Sequence, residues 1–246
     1  MTVKIVAHRG YSGRYPEMTT AAFAAALELP IHGVECDIRL SRDGELVCIH
    51  DPIVDRVSDG SGRVSTHTLP QLQELNFGAE LDPQQVVPLN DLLDMIAQAP
   101  GQRHIYIETK HPLRYGRILE EQLLRTLIYH GMVDDPRVHV ISFSGASLMR
   151  MYQLAPQIDR VYLRRTWTRF LRPLDPSFGH PTALGLSLLR AKMHPDLVGK
   201  RGMPTYVFTV DDPEDMQWCR DNRVELMATN EPERALDVLG AAAATP

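Results

Sequence analysis

No run of this chain is long and apolar enough for a membrane span, which takes about 20 residues, so no transmembrane helix is expected. Neither sign of charge dominates. Lys and Arg number 26 against 31 Asp and Glu, a formal net charge of −5, so there is no basic field and no nucleic-acid partner is expected. Cysteine is scarce. Cys36, Cys48 and Cys219 form no metal motif and cannot all pair, and the first two fall in predicted strands where small buried thiols are common. A reduced, cytoplasmic protein is the expectation. Met1–Ala7 is too short for a signal-peptide core and runs straight into His8-Arg9-Gly10, so the mature chain is expected to start at its first strand. No G-x-G-x-x-G follows that strand, which weakens an open dinucleotide-binding sheet.

What is present is ordinary for a globular protein: 43% hydrophobic and 23% charged residues in a chain of 246. Short apolar runs begin at Val3, Val34, Arg103, Arg137, Ile158, Ala183, Thr205 and Val224. Helical patterns separate them, among them Leu89–Ala97, Tyr115–Tyr129, Ala146–Leu154, Leu188–Lys200, Pro213–Asp221 and Glu233–Leu239. Eight such units imply an α/β fold, a (β/α)8 TIM barrel with right-handed crossovers. The second strand carries a return strand, Leu46–His50. No break in composition divides the chain, so one domain over residues 1–240 is expected, with a frayed tail at 241–246.

The chain is organised around Val34–Leu40. Strand side chains alternate, so Glu35 and Asp37 share a face, opposite Cys36 and Ile38. Two unpaired carboxylates there would cost several kcal/mol of desolvation. A hard divalent cation between them meets that cost, because Mg²⁺ and Ca²⁺ favour carboxylate oxygens. The competing arrangement is an ion pair to Arg9 or Arg39, with the second carboxylate solvated at a strand end. Barrel chemistry lies at the C-terminal ends of strands. His8 and Arg9 end the first strand, His50 the return strand, and Glu108 and Lys110 the third, on one face by parity. Taken singly, a histidine there is a satisfied polar residue and Glu108/Lys110 a surface pair. Taken together, they make a mouth able to hold a cation, neutralise a phosphate and pass protons.

Ala7-His8-Arg9-Gly10, Pro16-Glu17, Glu35-Cys36-Asp37, Asp43-Gly44, His50-Asp51, Glu108-Thr109-Lys110 and Phe208-Thr209-Val210 resemble, in order and spacing, the glycerophosphodiester phosphodiesterase family of TIM barrels. The resemblance implies a small insertion after the second strand, at about 52–88. It implies hydrolysis of a small-molecule glycerophosphodiester to glycerol 3-phosphate and an alcohol, with a divalent metal, Mg²⁺ or Ca²⁺ with Mn²⁺ as a substitute. By motif position Glu35, Asp37 and Glu108 would hold the metal, and His8 and His50 would be the acid/base pair. Arg9 and Lys110 would meet the phosphate, and Glu17 would steady Arg9 or bind at the edge. Met18, Phe208 and Asn230 depart from the usual Asn, Trp and Asp, which touches loop anchoring and pocket shape more than the chemistry. Trp167 and Phe208 are candidates for an apolar pocket for the alcohol; for Phe143 core packing is the leading reading and the pocket the alternative.

Two other functions fit the same residues. A phospholipase D-like or phosphoinositide-cleaving enzyme would use Trp167, Phe170 and Leu171 beside Arg164, Arg165, Arg169 and Arg172 for weak contact with a membrane surface. That run reads equally as a solvated helix face. A non-catalytic phosphodiester-binding protein is the other. The chain is taken as a monomer or homodimer.

Overall fold

The structure is a computed structural model describing residues 2–111, 116–164 and 179–240. The strands are β1 (Lys4–His8), β2 (Gly33–Leu40), β3 (Leu46–Cys48), β4 (His104–Thr109), β5 (Val138–Ser142), β6 (Asp159–Arg164), β7 (Ala183–Ser187), β8 (Thr205–Phe208) and β9 (Leu226–Thr229). All but β3 pair in parallel, in the order β1-β9-β8-β7-β6-β5-β4-β2, and β1 pairing with β2 closes the ring. This is the eight-stranded barrel expected from the sequence. β3 lies outside the ring, antiparallel to Ile38–Leu40. The helices are α1 (Thr20–Glu28), α2 (Leu69–Gln73), α3 (Leu89–Gln98), α4 (Ile118–Tyr129), α5 (Gly145–Leu154), α6 (Leu188–Met193), α7 (Pro213–Asp221) and α8 (Pro232–Leu239).

Local chemistry explains the boundaries. Thr19 caps α1, its hydroxyl accepting from Ala22 N at 3.2 Å. In α3, Leu89, Leu92, Leu93 and Ile96 fall at the spacing of one helical face, and all are buried. Each such burial is worth about 1.5–3 kcal/mol. One expected helix is too long. α6 stops at Met193, and Pro195 opens a separate 3-10 turn, because its ring and missing N–H cannot continue the α-helical ladder.

Strand parity sorts side chains between two layers. Val34, Cys36 and Ile38 join the core between strands and helices. Val6, Tyr106, Ile141, Val161 and Tyr206 pack inside the barrel. Tyr106 and Tyr206, with ring centroids 5.5 Å apart, fill its middle. Register then stacks the polar residues above them: His8 lies opposite Glu35, and Asp37 opposite Glu108. Gly33 sets the contact of β2 with β4. A Cβ there would lie 2.1 Å from the His104 carbonyl oxygen, a distance no side chain tolerates. Residues 52–88 gather a small core of their own, Val54, Val64, Leu72, Phe77 and Val86, against Val47 and Ile49.

Candidate active site

Glu35, Asp37 and Glu108 converge at the C-terminal mouth. Each offers a carboxylate oxygen within 4.8 Å of the other two, and all three are buried. Lys110 Nζ stands 2.6 Å from Asp37 and 2.7 Å from Glu108. Arg9 Nε lies 3.3 Å from Asp37, so the ion pair weighed against a cation is present as well. It does not complete the site. Neither Asp37 oxygen has a hydrogen bond of good geometry, although both are buried. Burial, then Asp37 and Glu108, push the Glu35 carboxyl well above its usual range. Burial, then Asp37, push Glu108 up to about 7. Burial also acts upward on Asp37, but Lys110 and Arg9 outweigh it and hold that carboxyl low. Three hard oxygen donors with two cations between them leave room for more positive charge, and the donor set fits Mg²⁺, Ca²⁺ or Mn²⁺.

The Arg9 backbone is turned to suit. Its φ of 61° is in the left-handed region, a cost of about 1–3 kcal/mol for a residue with a side chain. The turn lets Arg9 N donate both to the Glu35 carbonyl at 3.1 Å and to Glu35 Oε2 at 3.0 Å. Gly10 follows at φ 75°, and a Cβ there would meet the Ala22 carbonyl carbon at 2.7 Å. Glycine after His8-Arg9 is thus a steric requirement.

His8 ends β1 with Nε2 3.9 Å from Glu35 Oε2. Its Nδ1 is 2.8 Å from Asn230 Oδ1. Asn230 Nδ2 donates to Asp211 Oδ2 at 2.7 Å, which fixes the amide so that its oxygen faces the ring. His8 Nδ1 therefore carries the proton and Nε2 the lone pair. Burial, then Arg9, lower His8 to about 4. His50 does not end the return strand as expected. β3 finishes at Cys48, and Arg39 holds His50 by two hydrogen bonds to its carbonyl, at 3.0 and 2.6 Å. His50 Nδ1 lies 2.8 Å from Asp51 Oδ1, so this histidine has a carboxylate partner where His8 has an amide.

Glu17 accepts from Arg9 at 3.1 Å and from Arg56 at 2.7 Å, and Arg56 reaches Asp51 at 2.5 Å. Ion pairs thus run from Asp37 through Arg9, Glu17, Arg56 and Asp51 to His50. A cavity of about 300 Å³ opens beside the carboxylates, lined by Arg39, His50, Glu108, Lys110, Phe143 and Tyr162 among others. Phe208 packs edge-on against Phe143, centroids 5.7 Å apart. Trp167, Phe170, Leu171, Arg165, Arg169 and Arg172 lie outside the described residues. Asp43, in the turn after β2, anchors the start of α2, accepting from Leu69 N at 3.0 Å. Asp211 and Arg56 carry no motif that marks them in the sequence, and Asn230 stands out there only as a departure from the family's Asp.

Comparison with known proteins accords with this geometry. The model of the "Glycerophosphoryl diester phosphodiesterase family" matches residues 8–234. The protein named "Probable glycerophosphodiester phosphodiesterase 1" from Mycobacterium tuberculosis is 39% identical, over 94% of this chain and 90% of its own. The "Glycerophosphodiester phosphodiesterase" of Caldanaerobacter subterraneus is 31% identical, over 97% of this chain and 98% of its own. A phosphodiesterase from Oleispira antarctica, solved with the product sn-glycerol-3-phosphate, superposes with a TM-score of 0.85 at 23% identity, covering 97% of each chain. A likeness at that identity is one of fold.

Proposed function

The chain belongs to the glycerophosphoryl diester phosphodiesterase family, and on that premise we propose that it is a metal-dependent hydrolase cleaving glycerophosphodiesters to glycerol 3-phosphate and an alcohol. The observation that carries the proposal is the meeting of Glu35, Asp37 and Glu108 within 4.8 Å at a barrel mouth flanked by His8 and His50. These three carboxylates would hold a Mg²⁺, Ca²⁺ or Mn²⁺ ion, which supplies Lewis acidity toward a phosphoryl oxygen.

The chain's own groups do the rest. Arg9, held with Nε toward Asp37 and one Nη on Glu17, turns its remaining N–H groups to a phosphate oxygen, and Lys110 adds a second charge. His8 Nε2 carries a lone pair and takes the proton of the attacking oxygen, of water or of the neighbouring glycerol hydroxyl. That oxygen bonds to phosphorus as the P–O bond to the alcohol breaks. His50, whose ring Asp51 orients at Nδ1 while burial holds its pKa below the usual histidine range, returns a proton to the departing alkoxide. Glu17 holds Arg9 in place. Phe143 and Phe208, with Trp167, would face the apolar part of the alcohol. The working unit is one barrel domain over 1–240 with the 52–88 insertion at its lip. The free, buried thiols of Cys36, Cys48 and Cys219 favour a cytoplasmic setting, and no helix among the described residues is long and apolar enough to cross a membrane.

A coupled assay for glycerol 3-phosphate release, run on glycerophosphocholine, -ethanolamine, -inositol and -glycerol, tests the reading. Release dependent on added divalent metal is expected. No release from any of the four would overturn it.

A further inference from the structure

A second cluster lies at the opposite end of the barrel, away from the carboxylates. His104 opens β4, His139 is on β5, and His32 immediately precedes β2. The ladder brings them together: Gly33 is opposite His104, and Tyr106 opposite His139. One ring nitrogen from each of His32, His104 and His139 lies within 4.8 Å of the other two. His104 Nδ1 is 2.8 Å from His139 Nε2, and His32 Nε2 is 3.2 Å from the Tyr106 hydroxyl.

We propose that His32, His104 and His139 form a second metal site, for a borderline divalent ion such as Zn²⁺, Co²⁺ or Ni²⁺, that pins the α1–β2 turn to β4 and β5. The donor chemistry chooses the class. Three imidazoles suit Zn²⁺, Co²⁺ and Ni²⁺ and give no grip on Mg²⁺ or Ca²⁺, which want oxygen. Asp159 Oδ2 stands 3.4 Å from His139 Nδ1, the carboxylate–histidine arrangement that orients a ligating ring and leaves Nε2 free to bind. Two imidazole nitrogens at about 2.0–2.1 Å from a tetrahedral ion stand about 3.4 Å apart, so the His104–His139 contact has to open by about half an ångström. The three rings, which lie nearly parallel, with His104 26° from His32 and 17° from His139, have to turn toward the ion as well. Entry is open, since His32 and His104 are only partly buried. Nearby cations oppose binding, but Lys4 is paired with Glu225 at 3.3 Å and Arg137 with Asp135 at 2.7 Å, leaving Arg103.

The test titrates metal-stripped protein with Zn²⁺ and Co²⁺ in excess Mg²⁺, following metal uptake and the visible spectrum of Co²⁺. Expected are the intense bands of tetrahedral, nitrogen-ligated Co²⁺, and a Zn²⁺ equivalent retained by Asp37→Asn but bound at least tenfold more weakly by His104→Gln and by His139→Gln. Uptake untouched by the histidine variants, which would mark binding elsewhere on the surface, overturns the proposal. So does uptake abolished by Asp37→Asn. If either histidine variant fails to fold, the Co²⁺ spectrum of the unmutated chain decides alone: only the pale bands of an octahedral oxygen site would refute the assignment.

Discussion

The Asn230 amide oxygen accepts from His8 Nδ1 at 2.8 Å, and Asp211 holds that amide from behind. Asn230→Asp would set a carboxylate against the same nitrogen. An opposite charge at that range raises a pKa by about 1–3 pH units, so His8 would climb from about 4. Since the neutral ring is the base, the acid limb of kcat/KM should move to higher pH. A limb that stays in place would show that Asn230 does not act through His8.

His8→Ala and His50→Ala should each give a folded protein with turnover down by about 10²–10⁴-fold. Circular dichroism checks the fold and glycerol 3-phosphate release the rate. Near-normal turnover removes that histidine from the chemistry.

Excess EDTA should abolish activity, and Mg²⁺, Mn²⁺ or Ca²⁺ should restore it. Asp37→Asn takes one negative charge from the buried set and leaves Lys110 and Arg9 less balanced. It should raise the metal concentration for half-activation at least tenfold. Equal activity with and without EDTA, and no metal in the protein, would rule the ion out.

Arg9→Lys keeps the charge but loses the fork that spans Asp37 and Glu17. Charge-assisted hydrogen bonds contribute about 1.5–3 kcal/mol, so kcat/KM should fall about 10–100-fold. An unchanged kcat/KM would mean that a point charge suffices.

Stability should fall on the acid side for a reason remote from the mouth. His104 is lowered from 6.5 to about 4, and His32 from 6.5 to about 3. Below the unfolded value of 6.5 the unfolded chain binds protons that the folded chain refuses, so stability rises with pH in that window. Metal-free protein should lose stability as pH falls from about 6.5 toward 4, and His104→Gln should flatten the slope. Denaturant midpoints measured across that range check it. Equal slopes in both proteins would remove His104 as the cause.

Much of the site could be read from strand parity and position. Glu35 and Asp37 are two apart on a strand, and Glu108 and Lys110 repeat the pattern on its barrel neighbour, so alternation alone puts all four on the inner face. The support behind them could not be read that way. Asn230 reaches His8 only because β9 closes the ring against β1, a contact spanning 222 positions of sequence. Arg56 reaches Glu17 and Asp51 from an irregular segment with no periodicity to follow. The helix expected through Lys200 failed at Pro195 because an apolar face persists in the sequence after the backbone can no longer continue. His32, His104 and His139 carry no spacing signature. Only parity on β4, which puts His104 on the Glu108 face, could have hinted at them.

Gly33 has a consequence for how this protein can change. With the His104 carbonyl oxygen 2.1 Å from where its Cβ would be, the two strands bearing all three carboxylates are locked against sliding. Diversification is thereby channelled into the rim, where loops can be lengthened or exchanged to accept a new alcohol while the acidic centre stays in place. Saturation mutagenesis at position 33 should return glycine almost alone, whereas the lip should tolerate wide variety.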